Sequence, residues 1–592
     1  MSVRTSDAAA SQLNPESIAD RTTVGVFFRQ AARYGERPLI HYPDGDAWKV
    51  ATWADMKRCV LAVASGLVEA GVKPGDHVIL MGPNSLEWLY CDFGIQVAGA
   101  VAVPIYSGTV PDVAQTIAAN CEAVMAIMSD AKMATKLKAG QQLKTFARMD
   151  VEVPQWISQP PEHLDEVVAR LERIRPDDVC TIVYTSGTTG DPKGAELAHR
   201  NLVDTTRAVI KVHPLTEADY TLSWLPFSHV FERINGTFTL LLFGGQVWLS
   251  HGVDRLAEDL GEVEPTILLS VPRVYEKMHA RVMDRVREAP AIRRRLFAWA
   301  VGVGTRFSHE THPGPMLTAQ HRVAENLVLG ALRKRLVGGK LRFFISGGAA
   351  LAREIEEFFW AIGVPILNGW GMTETSSGAC SNTLTQHRFL TVGKPFPGIE
   401  LKFAPDGEIL VNSPGNMLRY HNNPVATAEM LEDGWIRTGD IGELDPDGFL
   451  KITDRKKDLI KTAGGKYVAP QQLEFEIQRD DLVEQAVIIG ESRPYVTALI
   501  VPDWAAVTRQ VPGKPEDLVH DERVIALIDH GVDAVNKRVG NWEAIRYFTL
   551  LPRAFSEDAG EITPTLKIKR KVVAQRYAEQ IESMYAGKKK PA

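Results

Sequence analysis

Residues 180–194 read CTIVYTSGTTGDPKG: an apolar run that breaks into small, hydroxylated and glycine residues and closes on a lysine. The run CTIVY predicts a short buried strand. In the loop that follows, Gly187 and Gly190 permit close backbone approach. Consecutive N–H groups, with the hydroxyls of Thr185, Ser186, Thr188 and Thr189, suit phosphate oxygens, and Lys193 adds a mobile cation. The loop is not a Walker A motif, because Pro192 stands where glycine is required and no Ser/Thr follows the lysine. A glycine-rich turn is more often only a turn; the density of hydroxyls beside a lysine favours phosphate binding here.

Outward from this loop the pattern alternates helix and strand. Upstream, Val60, Val63, Ala64, Leu67 and Val68 follow helical spacing and stop at Gly71 and Pro74. The run HVILMG (77–82) reads as a strand, Ser85 opens another helix, and AVAVPIY (100–106) and AVMAIMS (123–129) continue the series. Downstream it resumes at TLSWLPF (221–227), PTILLSV (265–271) and LRFFISGG (341–348). Repeated β–α units argue a mainly parallel sheet with helices on both faces. Residues 275–336 differ, being helical and punctuated by Arg293, Arg294, Arg295 and by Arg333, Lys334, Arg335. They read as a solvated helical excursion or, alternatively, as a surface that approaches an anionic membrane.

Beyond Glu408 come strands and turns, GEILVNS, DGWIRTGD and DGFLKITD, with hairpin signals at Asp433-Gly434 and Asp447-Gly448. The charged DRKKD (454–458) marks a domain boundary. A last block follows, with strands AVIIG and VTALIVP and a helix opening at Pro470.

At 592 residues the chain is too long for one core, so at least two domains are expected. A net charge of -6 argues against nucleic acid as a partner. The five cysteines form no CxxC pair, so neither zinc site nor disulfide framework is indicated and a reducing cytoplasm fits. The polar start MSVRTSDAAASQLNPES is no secretory signal. The most apolar windows, 94–105 and 237–249, contain glycines and are too short to span a bilayer.

Three further stretches carry chemistry. In SGGAAL (346–351) the glycines let a flat ring approach the backbone. GWGMTET (369–375) offers an aromatic and a carboxylate of the kind a hard cation bridging phosphates takes. EITPTLKIKRKVV (561–573) is lysine-rich.

With the Ser/Thr loop and the block at 433–458, these stretches resemble, in order and spacing, the motifs of the adenylate-forming (AMP-binding) superfamily, bacterial long-chain fatty acyl-CoA synthetases in particular. The resemblance covers roughly residues 22–580. It implies that Thr185, Ser186, Gly187, Thr188, Thr189, Gly190 and Lys193 hold phosphate and that adenine lies on Gly347, Gly348 and Ala349. Trp370 would flank that ring with Gly371 beside it, Thr373 would contact phosphate, and Glu374 would ligate Mg²⁺. Asp440 and Arg455 would hold the ribose, and Lys567 would bond the substrate carboxylate and α-phosphate. Gly464 and Gly465, in KTAGGKYV, would pass the pantetheine of coenzyme A, and His229 would sit beside the acyl carboxylate. Two departures are visible: Leu566 replaces the commoner glycine before Lys567, as in many long-chain members, and Glu232 and Arg233 occupy the stretch where some of these enzymes carry a gating tryptophan.

The expected fold is therefore α/β: a large N-terminal domain (1–456) of β–α sheet subdomains plus a β-rich subdomain, and a small mobile α+β C-terminal domain (457–592) with its hinge near Lys457. The implied activity is that of an AMP-forming acid–thiol ligase. ATP, with Mg²⁺, activates a long-chain fatty acid to the acyl-adenylate, and coenzyme A takes the acyl group. The alternatives are an acyl-AMP ligase serving a carrier protein, a CoA ligase for another acid, and a non-catalytic nucleotide- or lipid-binding relative. A cytoplasmic protein in peripheral contact with membrane matches such a substrate.

Overall fold

The computed structural model describes residues 14–586, except 141, 186–191, 311, 457–458, 465, 481, 557–558 and 563–567. The runs flanking the Ser/Thr loop build a seven-stranded sheet. Its order is Arg419–Tyr420, Lys193–Ala198, Val179–Thr185, Val101–Ile105, His77–Met81, Met125–Met128, Thr145–Arg148. Pairing is parallel from Val179–Thr185 to Thr145–Arg148 and antiparallel at the other end. The parallel strands are covered on both faces, which is why they read as unbroken apolar runs rather than alternating ones. Helix Trp53–Glu69 starts where the Thr52 hydroxyl accepts from the Asp55 N–H and the Asp55 carboxylate accepts from the Thr52 N–H, a reciprocal cap. Apolar nearly all round, it lies between helix Leu86–Val97 and the short helices Glu152–Ser158 and Leu164–Leu171.

A second, nine-stranded sheet runs Lys394–Pro395, Ser377–Ser381, Ile366–Met372, Phe343–Ser346, Ile267–Ser270, Tyr220–Ser223, Gln246–Leu249, Pro38–Asp44, Ala47–Thr52. Its far edge is a hairpin upstream of the first β–α unit visible in the sequence. Alternation along Phe343–Ser346 divides the core: Phe343 and Ile345 face the first sheet's side, whereas Phe344 packs with Tyr275 and Phe359 on the other. That second side carries the helical excursion, Pro272–Arg287, Ala291–His309 and Pro315–Ala324, together with helix Arg353–Ala361.

The strands after Glu408 form a smaller antiparallel sheet in which Trp435–Leu444 pairs with Glu408–Asn412 and with Leu450–Arg455. Asp433 and Gly434 both adopt positive φ, 50° and 81°, as a tight two-residue hairpin requires. The last block has its own core, including Ile477, Ile488, Ile500 and Ile528, around the sheet Val483–Ile489, Val496–Pro502, Ile545–Leu550. Phe475 of helix Pro470–Gln478 packs toward the helical side of the nine-stranded sheet, and the Arg273 guanidinium reaches Glu484 at 3.1 Å. No described helix is long and apolar enough to cross a membrane.

Candidate active site

Strands Val179–Thr185 and Lys193–Ala198 bring the two ends of the Ser/Thr loop together, Thr185 pairing with Lys193. Ser186, Gly187, Thr188, Thr189 and Gly190 lie outside the described residues. Lys193 Nζ sits 5.4 Å from the ring centroid of Tyr420, which the neighbouring strand places beside Ala195. The Tyr420 hydroxyl donates to Glu374 Oε1 at 2.5 Å. Burial, and then the adjacent carboxylate, raise the Tyr420 phenol far above its ordinary value, so it remains a donor. Glu374, only 6% exposed, lies with Thr373 in the single 3₁₀ turn Thr373–Thr375, and its carbonyl accepts from the Met417 N–H at 2.7 Å. The lysine that closes the loop, a tyrosine and a buried carboxylate thus form one row. Next to Tyr420, His421 Nδ1 lies 2.7 Å from Glu196 Oε1, which ties the tyrosine's strand to the strand that follows the loop.

A second group assembles across three elements. Strand Phe343–Ser346 ends at buried Gly347, followed by exposed Gly348, at φ 85°, and Ala349. A Cβ on Gly347 would meet the Phe231 ring at 3.1 Å. In Ile366–Met372 a bulge separates Trp370 from Gly371, and a Cβ on Gly371 would lie 1.5 Å from the Ser377 carbonyl oxygen, so only glycine fits. Trp370 Nε1 donates to Asp440 Oδ2 at 2.8 Å. Arg455, the cross-strand partner of Asp440, places Nε 2.8 Å from Oδ1 as an ion pair short of hydrogen-bond geometry. Asp440 is 3% exposed and keeps an open acceptor on Oδ1.

His229 is exposed and its Nδ1 accepts from the Phe231 N–H at 3.2 Å. It stands two residues before Phe231–Phe238, a π-helix, a form rare enough to mark functional segments. Glu232 and Arg233 point inward from it. Arg233 Nε donates to Asp92 Oδ2 at 2.9 Å and a terminal nitrogen donates to Thr181 Oγ1 at 2.8 Å, with both charges buried. Removing either partner would strand a buried charge, at a cost of about 3–5 kcal/mol. The pair joins the π-helix to helix Leu86–Val97 and to the strand that enters the Ser/Thr loop.

Glu232 accepts from the Ser223 hydroxyl at 2.7 Å, and burial pushes its carboxyl up to about 8. A folded-state value above the unfolded one contributes stability that is present below the unfolded value and lost as pH rises through about 8. Thermal unfolding of Glu232→Gln between about pH 5 and 8 should show a shallower loss of stability than the parent, by up to about 1.4 kcal/mol per pH unit. An unchanged slope would contradict a neutral, buried Glu232. Glu356, raised to about 8 by burial, leaves part of the slope in place.

In the last block, the hairpin Ile460–Lys461 and Tyr467–Val468 carries exposed Gly464 near its tip, where the Thr462 N–H donates to the Lys466 carbonyl at 2.9 Å. Gly465, Lys457 and Lys567 lie outside the described residues. The flanks of Lys567 are fixed: Ile562 bridges Ile568, and fully buried Glu561 accepts from Arg553 at 2.7 and 2.8 Å and from Arg576 at 3.0 Å. Burial opposes ionisation of Glu561, but these partners hold its carboxyl at about 2.

Tyr420, Glu196, His421 and Asp92 were not singled out by the sequence: none lies in a distinctive local pattern, and their roles come from strand pairing and burial. Glu561 opens the stretch 561–573 but was given no role there; its burial and its arginine partners are what the structure adds.

Comparison with known proteins identifies the family. A family model described as AMP-binding enzyme matches residues 27–421, and one described as AMP-binding enzyme C-terminal domain matches residues 457–589. The chain is 37% identical over 564 residues to the long-chain-fatty-acid–CoA ligase FadD15 of Mycobacterium tuberculosis, covering 91% of this chain and 92% of that protein. It is 29% identical to the long-chain-fatty-acid–CoA ligase ACSBG1 of Homo sapiens, covering 95% and 85%. Among solved structures, the anthranilate CoA ligase AuaEII in complex with anthranoyl-AMP shares the fold, with a TM-score of 0.71 at 22% identity over 97% of this chain and 99% of that one. A fatty acyl CoA synthetase of Mycobacterium tuberculosis does so with 0.63 at 20% identity over 95% and 99%. With both family models matched over nearly its whole length, the chain belongs to the AMP-binding enzyme family.

Proposed function

We propose that this chain uses ATP to convert a long-chain fatty acid to its acyl-adenylate, releasing pyrophosphate, and then passes the acyl group to coenzyme A, releasing AMP. The names of the relatives at 37% and 29% identity support the substrate class. The observation that carries the reading is the row Lys193–Tyr420–Glu374 in one chain with the cluster Trp370–Asp440–Arg455.

In this reading the open acceptor on Asp440 takes the ribose hydroxyls, with Arg455 beside it. Trp370 flanks the adenine over Gly347, Gly348 and Ala349, and Gly371 keeps that wall thin. Lys193, Thr373 and the Ser/Thr loop hold the phosphates. Mg²⁺ fits the donors present: it needs only one or two carboxylates beyond phosphate oxygens and water, and Glu374 offers one. Bound there, it would neutralise charge on the phosphates. Nothing in the chemistry asks the protein for a covalent bond, so catalysis rests on positioning and on charge stabilisation. An oxygen of the fatty acid carboxylate, beside His229, attacks the α-phosphorus, and Lys567 stabilises the charge gathered on the carboxylate and α-phosphate. The C-terminal domain, 457–592, then turns about Lys457, withdrawing Lys567 and bringing the loop of Gly464 and Gly465 to the site. The coenzyme A thiolate attacks the acyl carbon and the C–O bond to AMP breaks.

Tyr420 would act by positioning Glu374. Tyr420→Phe should raise the Mg²⁺ concentration for half-maximal pyrophosphate release by about tenfold, the usual effect of losing an outer partner of a metal ligand. A lower rate with unchanged Mg²⁺ dependence would leave the tyrosine a packing role only.

The reading is tested by following AMP and thioester formation with ATP, Mg²⁺ and coenzyme A over straight-chain acids from acetate to stearate and one aromatic acid. Thioester formed fastest with the long chains is expected. Adenylate without thioester would point to a carrier protein as acceptor, preference for a short or aromatic acid would overturn the substrate class, and no turnover would overturn the enzymatic reading.

A further inference from the structure

The helical excursion stands apart from the rest of the molecule in charge and in surface. Residues 272–337 hold thirteen lysines and arginines against five acidic residues, a net charge of +8 in a chain whose net charge is -6. Among the described residues, six of the fifteen exposed large hydrophobic side chains belong to this segment, so they are concentrated rather than scattered.

Helix Ala291–His309 shows how the two features combine. Its later turns are packed: Ala300, Val303 and Gly304 are buried, with Gly304 pressed against the Ala361 carbonyl. Its first turns stand clear, and every residue from 291 to 296 is exposed. Ile292, Leu296 and Trp299 recur at i, i+4 and i+7 and share one face, at 81%, 37% and 39% exposure. Arg293, Arg294 and Arg295 are interleaved with them, and none of the three is ion-paired among the described residues. On the adjoining helix Pro315–Ala324 and the π-helical Glu325–Leu329 that continues it, exposed Met316, Val323 and Leu327 follow at i, i+7 and i+11.

We propose that the protruding turns at 291–299 form a docking surface for an anionic lipid bilayer. An aliphatic and tryptophan ridge suits the boundary between headgroups and acyl chains, where tryptophan is favoured. The interleaved guanidinium groups reach lipid phosphates on either side of that ridge. Charge decides between partners: an exposed apolar face flanked by unpaired cations, on a segment of net charge +8, complements an anionic interface. Such docking goes beyond acyl activation and would persist if the acyl acceptor were not coenzyme A.

The test is co-sedimentation of the full chain with phosphatidylcholine vesicles, either pure or rich in phosphatidylglycerol. Capture by the anionic vesicles alone is expected, with release at high salt. The triple variant Arg293→Gln, Arg294→Gln, Arg295→Gln should lose on the order of a hundredfold in partitioning, from the electrostatic contribution of three basic residues near a charged surface. The variant Ile292→Ser, Leu296→Ser, Trp299→Ser should also lose capture, and both should keep the parent's thermal midpoint because the sites are exposed. Failure to bind anionic vesicles, equal capture by neutral ones, or capture indifferent to both variants would overturn the proposal. A dimer, seen by light scattering, that the apolar variant dissolves would overturn it in favour of a second copy.

Discussion

Lys567→Ala is expected to slow acyl-adenylate formation by on the order of a thousandfold while sparing thioester formation from preformed acyl-adenylate. The asymmetry follows from where charge develops. In the first half-reaction two anions, a carboxylate and a triphosphate, are brought together, and a cation placed between them stabilises the transition state more than either ground state. In the second half-reaction the α-phosphate departs as part of AMP, and the nucleophile is a thiolate whose approach a lysine in the same place would obstruct. A thousandfold corresponds to about 4 kcal/mol, in the range lost when one preorganised charge partner is removed from a site. On either side of the stretch that holds Lys567, Ile562 bridges Ile568, and buried Glu561 pairs with Arg553 and Arg576. Pyrophosphate exchange measures the first half and single-turnover reaction of acyl-adenylate with coenzyme A the second. Equal loss in both would contradict the role.

Glu374→Gln should lower Mg²⁺-dependent pyrophosphate release by about a hundredfold or more and leave fatty acid binding within a factor of a few. The substitution keeps the side chain's size and an acceptor for the Tyr420 hydroxyl at Oε1 while deleting the charge. A hard cation binds a neutral amide far more weakly than a carboxylate. Because the buried tyrosine stays bonded, the thermal midpoint should remain near the parent's. Glu374→Ala differs, leaving the Tyr420 donor unpaired at a further cost of about 1–3 kcal/mol in stability. Unchanged Mg²⁺ dependence in the glutamine variant would remove Glu374 from the metal. Fatty acid binding lost along with the rate would show that the residue shapes the pocket instead.

Much of this was legible in the sequence because the local chemistry was dense. A strand feeding glycine, serine, threonine and a lysine announced the loop, and the order of the later motifs announced the family. The strands HVILMG, AVAVPIY and AVMAIMS stood out because parallel strands buried on both faces must be apolar throughout. Asp440 and Trp370 lie 70 residues apart, and their hydrogen bond joins residues that the sequence had assigned to neighbouring parts of one nucleotide.

What escaped was set by distant pairing. Tyr420 belongs to a two-residue strand whose only distinction is its place beside Ala195, from which it reaches a carboxylate 46 positions away. Glu232 and Arg233 stood out in the sequence only as occupying the stretch where related enzymes carry a gating tryptophan. The π-helical turn aims both inward, Arg233 onto Asp92 and Glu232 onto Ser223, and neither periodicity nor composition signals that. The hairpin Pro38–Asp44 and Ala47–Thr52 was missed because its residues alternate weakly, only Ala51 of its second strand being buried.

The central claim, that a carboxylate oxygen attacks the α-phosphorus, is tested most directly by oxygen transfer. Palmitate labelled with ¹⁸O in both carboxylate oxygens would be incubated with the protein, ATP, Mg²⁺ and coenzyme A, and the nucleotide product analysed by mass spectrometry. The account predicts AMP carrying one ¹⁸O per thioester formed, because the bond made to phosphorus survives and the acyl C–O bond breaks. Label recovered in inorganic phosphate alongside ADP would mean an acyl phosphate route, and unlabelled AMP alongside thioester would contradict an acyl-adenylate altogether.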